Sequence, residues 1–187
     1  MQTTTTPGRA RPMSVEARRD MIIGLVTPLL LEHGAAVTSK QIAEATGLAE
    51  GTIYRAFGDK DSLIDAALDH YYDPLTVVVA LRGIPADLPL RELLLRLLQV
   101  TMARIDQVVR MVTAMGGRTP PEVKIPFPDV ASQLLEAHRD ELRIEPARVV
   151  DMIRVLAFAS SFPMPGIDTK PTPEELTELL MNGVLHH

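Results

Sequence analysis

The sequence contains no cysteine and few aromatic residues, and its apolar runs are short. Without cysteine there is no disulfide framework, no thiol nucleophile and no cysteine-based zinc site, which favours a reducing compartment. The longest apolar runs, such as VVVAL and MIIGLV, fall far short of a membrane span. The polar start of the chain lacks the apolar stretch of a secretory signal. We therefore expect a globular protein in the cytoplasm.

The chain does contain apolar residues that recur at three- and four-residue spacing. No β-branched run alternates at period two, so the pattern predicts an all-α fold without a sheet. The first helix is expected to end at Gly34 with a left-handed cap. In chain order, helices are predicted over residues 14–33, 38–46 and 49–57, from GDKDSL onward, and over 90–115, 129–142, 145–160 and 173–185.

Two short helices joined by a glycine-containing turn form the most specific motif. Thr38 with Gln41 three residues later is a capping box, which begins the first of them, and Gly47 ends it. The second runs from about Ala49 to Phe57. An isolated helix of that length is marginal in water, so packing must hold it. Two helices joined in this way predict a helix-turn-helix.

The outer face of the second short helix has the chemistry of a DNA reader. Thr52 and Arg55 are three residues apart and share this face, and Tyr54 offers a hydroxyl at its edge. Gly51 removes side-chain bulk beside them, which lets another surface approach closely. In a major groove, arginine can read guanine and threonine can contact a thymine methyl or a phosphate. The motif therefore predicts double-stranded DNA as a partner.

The charge distribution agrees with this placement. The net charge of the whole chain is -5, which by itself argues against a polyanionic partner. Residues 1–60, however, hold seven Lys/Arg against six Asp/Glu, for +1, while residues 61–187 hold twelve against eighteen, for -6. Only the first part of the chain is suited to lie against DNA.

The segment from Met21 to about Leu63 resembles the N-terminal DNA-binding region of TetR-family transcriptional repressors. The matching features are EHG at the end of the first helix, TSKQIAEATG, GTIYRAF and the lysine that follows, in that order and spacing. The resemblance implies that the third helix enters the major groove and that a variable helical domain dimerises and binds an inducer. We expect a disordered leader over residues 1–13, a helix-turn-helix DNA-binding domain over 14–60, and an effector-binding and dimerisation domain over 61–187.

The resemblance also implies which residues contact DNA. Thr52 and Arg55 are expected in the groove, with Gln41 near its edge. Phosphate contacts are implied for Thr38, Lys40, Tyr54 and Lys60. Three departures weaken the match: Ala49 stands where Ser or Thr is frequent, Glu50 where Lys or Arg is frequent, and Ala56 where a second aromatic is common. Glu50 would repel phosphate unless it accepts a hydrogen bond from a cytosine amino group.

Two further sets of residues are candidates for ligand and subunit contacts. The last two helices are expected to pair with their copies in a second subunit, with an intrachain core as the alternative. The interface candidates are Val149, Ile153, Leu156, Leu176, Leu179 and Leu180. The effector-pocket candidates, which also fit an ordinary core, are Met102, Ile105, Asp106, Val109, Phe127, Leu134, Met152 and Phe158. If Asp106 faces a cavity, a cationic lipophilic effector is favoured, whereas a surface ion pair would remove that suggestion.

Together these features predict a ligand-responsive transcriptional repressor, a homodimer that binds a palindromic operator and is released by a small apolar effector. The alternative is a helical adaptor with a degenerate helix-turn-helix that does not bind DNA specifically, which Glu50 favours. An enzyme is not expected, because none of the five histidines stands in a metal-ligand or catalytic spacing with carboxylates. We likewise expect no metal site and no cofactor.

Overall fold

The computed structural model describes residues 13–119, 127–162 and 169–184. Every regular element in these ranges is a helix, so the predicted all-α fold class is confirmed. The chain divides into two compact units, Met1–Tyr71 and Tyr72–His187. The expected leader lies, apart from Met13, outside the described residues.

The first unit is built from four helices among its described residues. Its elements are α1 (Val15–His33), a 3₁₀ turn (Gly34–Ala36), α2 (Ser39–Thr46), α3 (Glu50–Phe57) and α4 (Lys60–Tyr72). Each helix contributes an apolar face to a shared core, which is the arrangement that amphipathic spacing favours. Its fully buried side chains are Ile22, Val26, Leu30, Val37, Ile42, Ile53, Leu63 and Ala67. The boundary expected between residues 60 and 61 lies at the start of α4, whereas the two units divide at its end.

Caps define where the helices of the first unit begin and end. The Ser14 hydroxyl accepts a hydrogen bond from the Ala17 backbone N–H at 3.1 Å and begins α1. Gly34 has φ 58° and ψ -142°, which is a positive φ but not the expected left-handed helical cap, because the chain continues into the 3₁₀ turn. Gly47 does adopt the left-handed conformation, with φ 66° and ψ 17°, and turns the chain from α2 toward α3.

The second unit surrounds one long helix. Its elements are α5 (Leu75–Arg82), α6 (Leu90–Ala114), α7 (Phe127–Leu135), a 3₁₀ segment (Glu136–Glu141), α8 (Pro146–Ser160) and α9 (Pro173–Val184). Helix α6 packs against both α8 and α9, and α7 packs against α8. Fully buried side chains of the resulting apolar core include Leu81, Leu93, Leu94, Leu97, Leu98, Ala131, Leu135, Val149, Val150, Ile153 and Ala157.

Two elements of the second unit differ from expectation. Helix α5 was not predicted; just before it, the Asp73 carboxylate accepts from the Leu75 N–H at 2.8 Å. The helix predicted over 129–142 was wrong at its end, since α7 stops at Leu135 and gives way to the 3₁₀ segment. There the His138 ring lies 2.9 Å from the Leu88 carbonyl oxygen and 2.6 Å from the Glu141 carboxylate. These two contacts of the His138 ring accompany the 3₁₀ segment that replaces the end of the predicted α-helix.

Candidate functional site

The turn between α2 and α3 sets which face of α3 is exposed. Ile53 and Phe57, four residues apart, are buried, as predicted. Ala49 occupies the N-cap position and supplies no side-chain hydrogen bond. Helix α3 therefore begins without the polar cap that most helix starts have, and packing of its two buried side chains holds it in place.

The opposite face of α3 presents one cation and one anion to solvent. Arg55 and Glu50 are exposed, and within the described ranges neither makes a hydrogen bond through its side chain or an ion pair. Thr52 is half-buried rather than fully outward. A Cβ built on Gly51 would meet no other atom within 4 Å, so the helix is open to close approach at this point. This surface, Glu50, Gly51, Thr52 and Arg55, is called the α3 outer face below.

Polar contacts tie α3 and its flanks to the rest of the unit. The Tyr54 hydroxyl donates to the Ser39 hydroxyl of α2 at 2.6 Å. The Lys60 ammonium donates to the Val37 carbonyl oxygen at 3.1 Å. Tyr54 and Lys60 were predicted to contact phosphate, and each already has an intramolecular partner.

A further contact to α3 comes from Arg19 of α1, which the sequence analysis missed. Its guanidinium donates to the Ala56 carbonyl oxygen and lies 4.2 Å from the centre of the Phe57 ring. Because it satisfies a carbonyl in the last turn of α3 and stacks on an aromatic face, it fixes the C-terminal end of that helix. The available signal was position: Arg19 lies on the same stripe as the buried Ile22, Ile23 and Val26.

The predicted capping box at the start of α2 is confirmed. The Gln41 amide oxygen accepts from the Thr38 backbone N–H at 2.8 Å and from the Thr38 hydroxyl at 2.9 Å. In return, the Thr38 hydroxyl accepts from the Gln41 N–H at 3.2 Å. Lys40 stands beside the box with 84% of its side chain exposed, 3.9 Å from the Glu44 carboxylate. Of these residues, Lys40 has the most freedom to reach a partner.

Asp59 directly precedes α4. Its carboxylate accepts from the Ser62 backbone N–H at 2.7 Å. Hydrogen bonds from the Ser62 backbone and side chain, with a smaller one from the Asp61 backbone, lower the pKa of the Asp59 carboxyl below its usual value. These hydrogen bonds favour the ionised form of the Asp59 carboxyl, which caps the start of α4.

The second unit contains a solvent-open cavity of about 810 Å³. Residues from α5, α6, α7 and α8 line it: Val77, Thr101, Arg104, Ile105, Phe127, Pro128, Arg148, Asp151, Arg154, Val155, Phe158 and Ala159. Three of the predicted pocket residues, Ile105, Phe127 and Phe158, are among them. The charged lining residues were missed, since the sequence does not specify which face of α8 borders a void.

The other predicted pocket residues lie elsewhere in the second unit. Met102 is buried in the apolar core, and Leu134 packs against that core. Met152 is 43% exposed and Val109 is half-buried. The Asp106 carboxylate pairs with the Lys170 ammonium at 2.7 Å and does not line the cavity. The reason for expecting a cationic effector is thereby removed.

Most of the predicted interface residues have partners within their own chain. Val149, Ile153, Leu176 and Leu180 belong to the apolar core. Leu156 is half-buried against that core, and Leu179 is 57% exposed. Because the four core side chains are already covered, a contact with another molecule through α8 and α9 would use their exposed faces instead.

Neither a membrane-spanning helix nor a group of metal-binding side chains is present in the described residues. Among the helices in those ranges, none combines the length and apolar character needed to cross a lipid bilayer. In the same ranges, no three His, Asp or Glu side chains are grouped so that they could hold a metal ion.

The helix-turn-helix segment matches a known protein family. Residues 28–67 match the family model described as bacterial regulatory proteins, tetR family. The HTH-type transcriptional repressor Rv3405c of Mycobacterium tuberculosis is 35% identical over 89 residues, which cover 46% of this chain and 47% of that protein. The chain thus spans about half the length of the curated relatives it matches. The predicted resemblance to the TetR family is confirmed.

Solved structures extend the similarity to the whole fold. The TetR transcriptional regulator SCO0520 of Streptomyces coelicolor has a TM-score of 0.56 at 23% identity and covers 89% of this chain and 98% of its own. A TetR-family regulator of Pectobacterium atrosepticum, ECA1819, has a TM-score of 0.60 at 16% identity and covers 92% and 96%. At these identities the likeness establishes a shared fold.

Proposed function

We propose that this chain, a TetR-family regulator by its residues 28–67, is a repressor that binds a palindromic DNA operator as a dimer and releases it when a small molecule occupies the cavity of the second unit. The observation that carries the proposal is the α3 outer face. Arg55 is exposed on a helix whose orientation is fixed by buried apolar residues and by polar contacts from Arg19 and Tyr54. A rigid helix with an exposed arginine suits base reading in a major groove.

The DNA contacts divide into base readers and phosphate binders. Arg55 and Thr52 are assigned to base edges, and Lys40, with its exposed ammonium, to a phosphate. Lys60 uses one of its three N–H donors on the Val37 carbonyl oxygen, which leaves two for a phosphate. Tyr54 has a single hydroxyl proton, engaged with Ser39, so its contact to phosphate requires that bond to be exchanged.

Thr38 and Gln41 take a different part in the proposed complex. Their side chains satisfy each other and the first backbone donors of α2, so neither is released for the groove without disrupting the cap. We assign them to positioning the N-terminus of α2 near the DNA backbone, where its backbone N–H groups favour an anion.

The dimer follows from the need to read two half-sites. Recognition helices that enter successive major grooves must be about 34 Å apart, or a multiple of that, which one copy of this chain cannot provide. Apolar side chains exposed on α8 and α9 offer the surface for a second copy: Met152 is 43% exposed, Leu179 is 57% exposed, and Leu156 is half-buried. We assign the subunit contact to these three residues.

Ligand release requires the cavity and the operator to favour different arrangements of the dimer. By linkage, an effector weakens DNA binding by the same factor by which DNA weakens effector binding, typically about 1 to 3 kcal/mol. The name of the Mycobacterium tuberculosis relative, a repressor, supports repression rather than activation. Such a regulator would act in the cytoplasm, where bacterial DNA lies.

One observation favours the adaptor alternative. Glu50 is exposed in the first turn of α3, beside an N-cap alanine that offers no hydroxyl to a phosphate. An anion at this position opposes contact with the DNA backbone. The two functions predict opposite results in a binding selection.

The test is selection of random-sequence duplex DNA on the purified protein, with wild type and Arg55→Ala compared at one stated salt concentration. The proposal predicts a recovered palindrome, with preference relaxed at one symmetric position per half-site in the variant. The matched phosphate variant, Lys60→Ala, should weaken all sequences alike and reduce the salt slope by about 1. A folded protein that recovers no sequence above background would support the adaptor instead.

A further inference from the structure

The charge of the cavity differs from that of the second unit as a whole. The second unit, residues 72–187, holds twelve Lys/Arg against fifteen Asp/Glu, for a net charge of -3. The described residues that line the cavity include three arginines, Arg104, Arg148 and Arg154, and a single carboxylate, Asp151. A cationic recess in an acidic part of the chain is unexpected from composition, and a local excess of one sign attracts ligands of the opposite sign.

Asp151 does not neutralise this excess, because its single carboxylate pairs with two arginines. Its carboxylate lies 3.1 Å from the Arg148 guanidinium and 3.8 Å from that of Arg154. All three lie on one side of α8, at three-residue spacing, and face the same void. One carboxylate between two guanidinium groups leaves a net positive charge at the cavity wall.

Arg104 of α6 also lines the cavity, and hydrogen bonds hold its guanidinium in place. Its guanidinium donates to the Tyr72 carbonyl oxygen at 2.6 Å and to the Gln107 amide oxygen at 3.3 Å. A planar guanidinium fixed by hydrogen bonds is pre-organised for an oxyanion, with less side-chain freedom to lose on binding.

Apart from Thr101, the other described residues of the lining are apolar. They include Val77, Ile105, Phe127 and Phe158, which come from four different helices. The volume of about 810 Å³ lies within the range of small-molecule sites, roughly 300 to 1,000 Å³. The cavity therefore joins a cationic region to an apolar one at a size that fits a whole small ligand.

We infer that the ligand of this cavity is an amphipathic organic anion, with a carboxylate or similar oxyanion head between the arginines and an aliphatic or aromatic body against the apolar wall. Its regulatory meaning rests on the proposed function, in which occupancy of the cavity releases DNA. The inference replaces the apolar or cationic effector that the sequence suggested, since Asp106 pairs with Lys170 outside the cavity.

The test compares two ligands with the same tail and opposite heads, sodium decanoate and decyltrimethylammonium, by isothermal titration calorimetry on the full chain. Decanoate should bind wild type, and the ammonium probe should not. Arg104→Gln should weaken decanoate roughly tenfold, the loss expected for a hydrogen bond to a charged group. Arg110→Gln is the matched control, because Arg110 is exposed on the same helix and does not line the cavity.

Two further variants keep the test decisive if Arg104→Gln fails to fold. Arg148→Gln should weaken decanoate, and Asp151→Asn should strengthen it, because the first removes a cation and the second removes the competing carboxylate. Equal binding of the two probes would overturn the inference. So would losses that are the same in Arg104→Gln, Arg148→Gln and Arg110→Gln.

The outcomes separate this inference from the proposed function. If neither probe binds while the selected operator is still bound, the anion site is refuted and DNA binding stands. If decanoate binds through the arginines but leaves operator affinity unchanged, the anion site is confirmed and ligand release is refuted. If decanoate binds through the arginines and lowers operator affinity, both are supported.

Discussion

Helices α2 and α3 of the first unit have eight residues each and bury one and two side chains respectively, whereas α6 of the second unit has 25 residues and buries eight. The short helices compensate with polar contacts to their neighbours, from Arg19, Tyr54 and Lys60. The long helix relies on a continuous apolar core. Apolar packing fixes that a helix is present, while a hydrogen bond, being directional, also fixes which way its faces point. A helix face that reads DNA bases must point in a fixed direction, which hydrogen bonds provide.

The largest effect is expected from truncating the core of the second unit. Leu97 of α6 is fully buried, so Leu97→Ala should lower the free energy of unfolding by about 2 to 5 kcal/mol through lost burial and a residual cavity. Leu75→Ala is the control, because Leu75 is 61% exposed, and it should change stability by less than about 0.5 kcal/mol. Urea unfolding followed by circular dichroism measures both. Similar losses in the two variants would contradict the reliance of the second unit on its apolar core.

Arg19→Met should have the next largest effect. It retains apolar length but removes the bond to the Ala56 carbonyl oxygen and the contact with the Phe57 ring, so the free energy of unfolding should fall by about 1 to 3 kcal/mol. Arg18→Met, at the neighbouring exposed position, is the matched control. The end of α3 should also exchange its amide hydrogens faster in the Arg19 variant. Unchanged exchange there would show that Arg19 does not hold the helix.

The Tyr54–Ser39 bond predicts a smaller effect. Tyr54→Phe should cost about 0.5 to 1.5 kcal/mol of folding stability, because one part-buried hydrogen bond is lost. A double-mutant cycle with Ser39→Ala isolates the contribution of the pair. If the two single losses simply add in the double variant, the hydroxyls are not coupled, and packing alone orients α3 relative to α2.

The smallest effect concerns pH. Hydrogen bonds from Ser62 lower the folded-state pKa of Asp59, so the contribution of this carboxylate to stability is fully present above its unfolded pKa and is lost as the pH falls through the lowered folded value. Asp59→Asn keeps a capping oxygen without the charge. Urea unfolding between about pH 5 and pH 2 should show wild type losing its advantage over the variant in acid. A difference that stays constant over this range would rule out the charged cap.

What could be predicted from the sequence was local. The capping box of Thr38 and Gln41 and the inward pair Ile53 and Phe57 depend only on spacing within one helix, and both are observed. Helix α5 was missed because its run of three valines has no polar face: Val77 and Val78 are buried, yet Val79 is 69% exposed. Which of these valines is buried depends on the neighbouring helices, so periodicity alone did not predict this helix.

Long-range packing accounts for the remaining differences. Leu176 and Leu180 have the spacing of an interface helix, but spacing does not specify whether the same chain or another one covers them, and here the same chain does. The arginines of the cavity pose the same difficulty, because a charged residue on α8 lies beside a void only through the arrangement of α5, α6 and α7. Such features require the fold, and no local pattern encodes them.

Gly51 shows how the α3 outer face can change over evolutionary time. A glycine inside a helix costs about 1 kcal/mol relative to alanine, yet among the described residues nothing lies within 4 Å of the place its Cβ would occupy. The fold therefore does not require glycine there, since a Cβ would meet no neighbouring atom. Together with the exposed Glu50 and Arg55, it forms a set of positions that can be exchanged without touching Ile53 or Phe57. A library of variants at these three positions would sample new recognition surfaces on an unchanged scaffold.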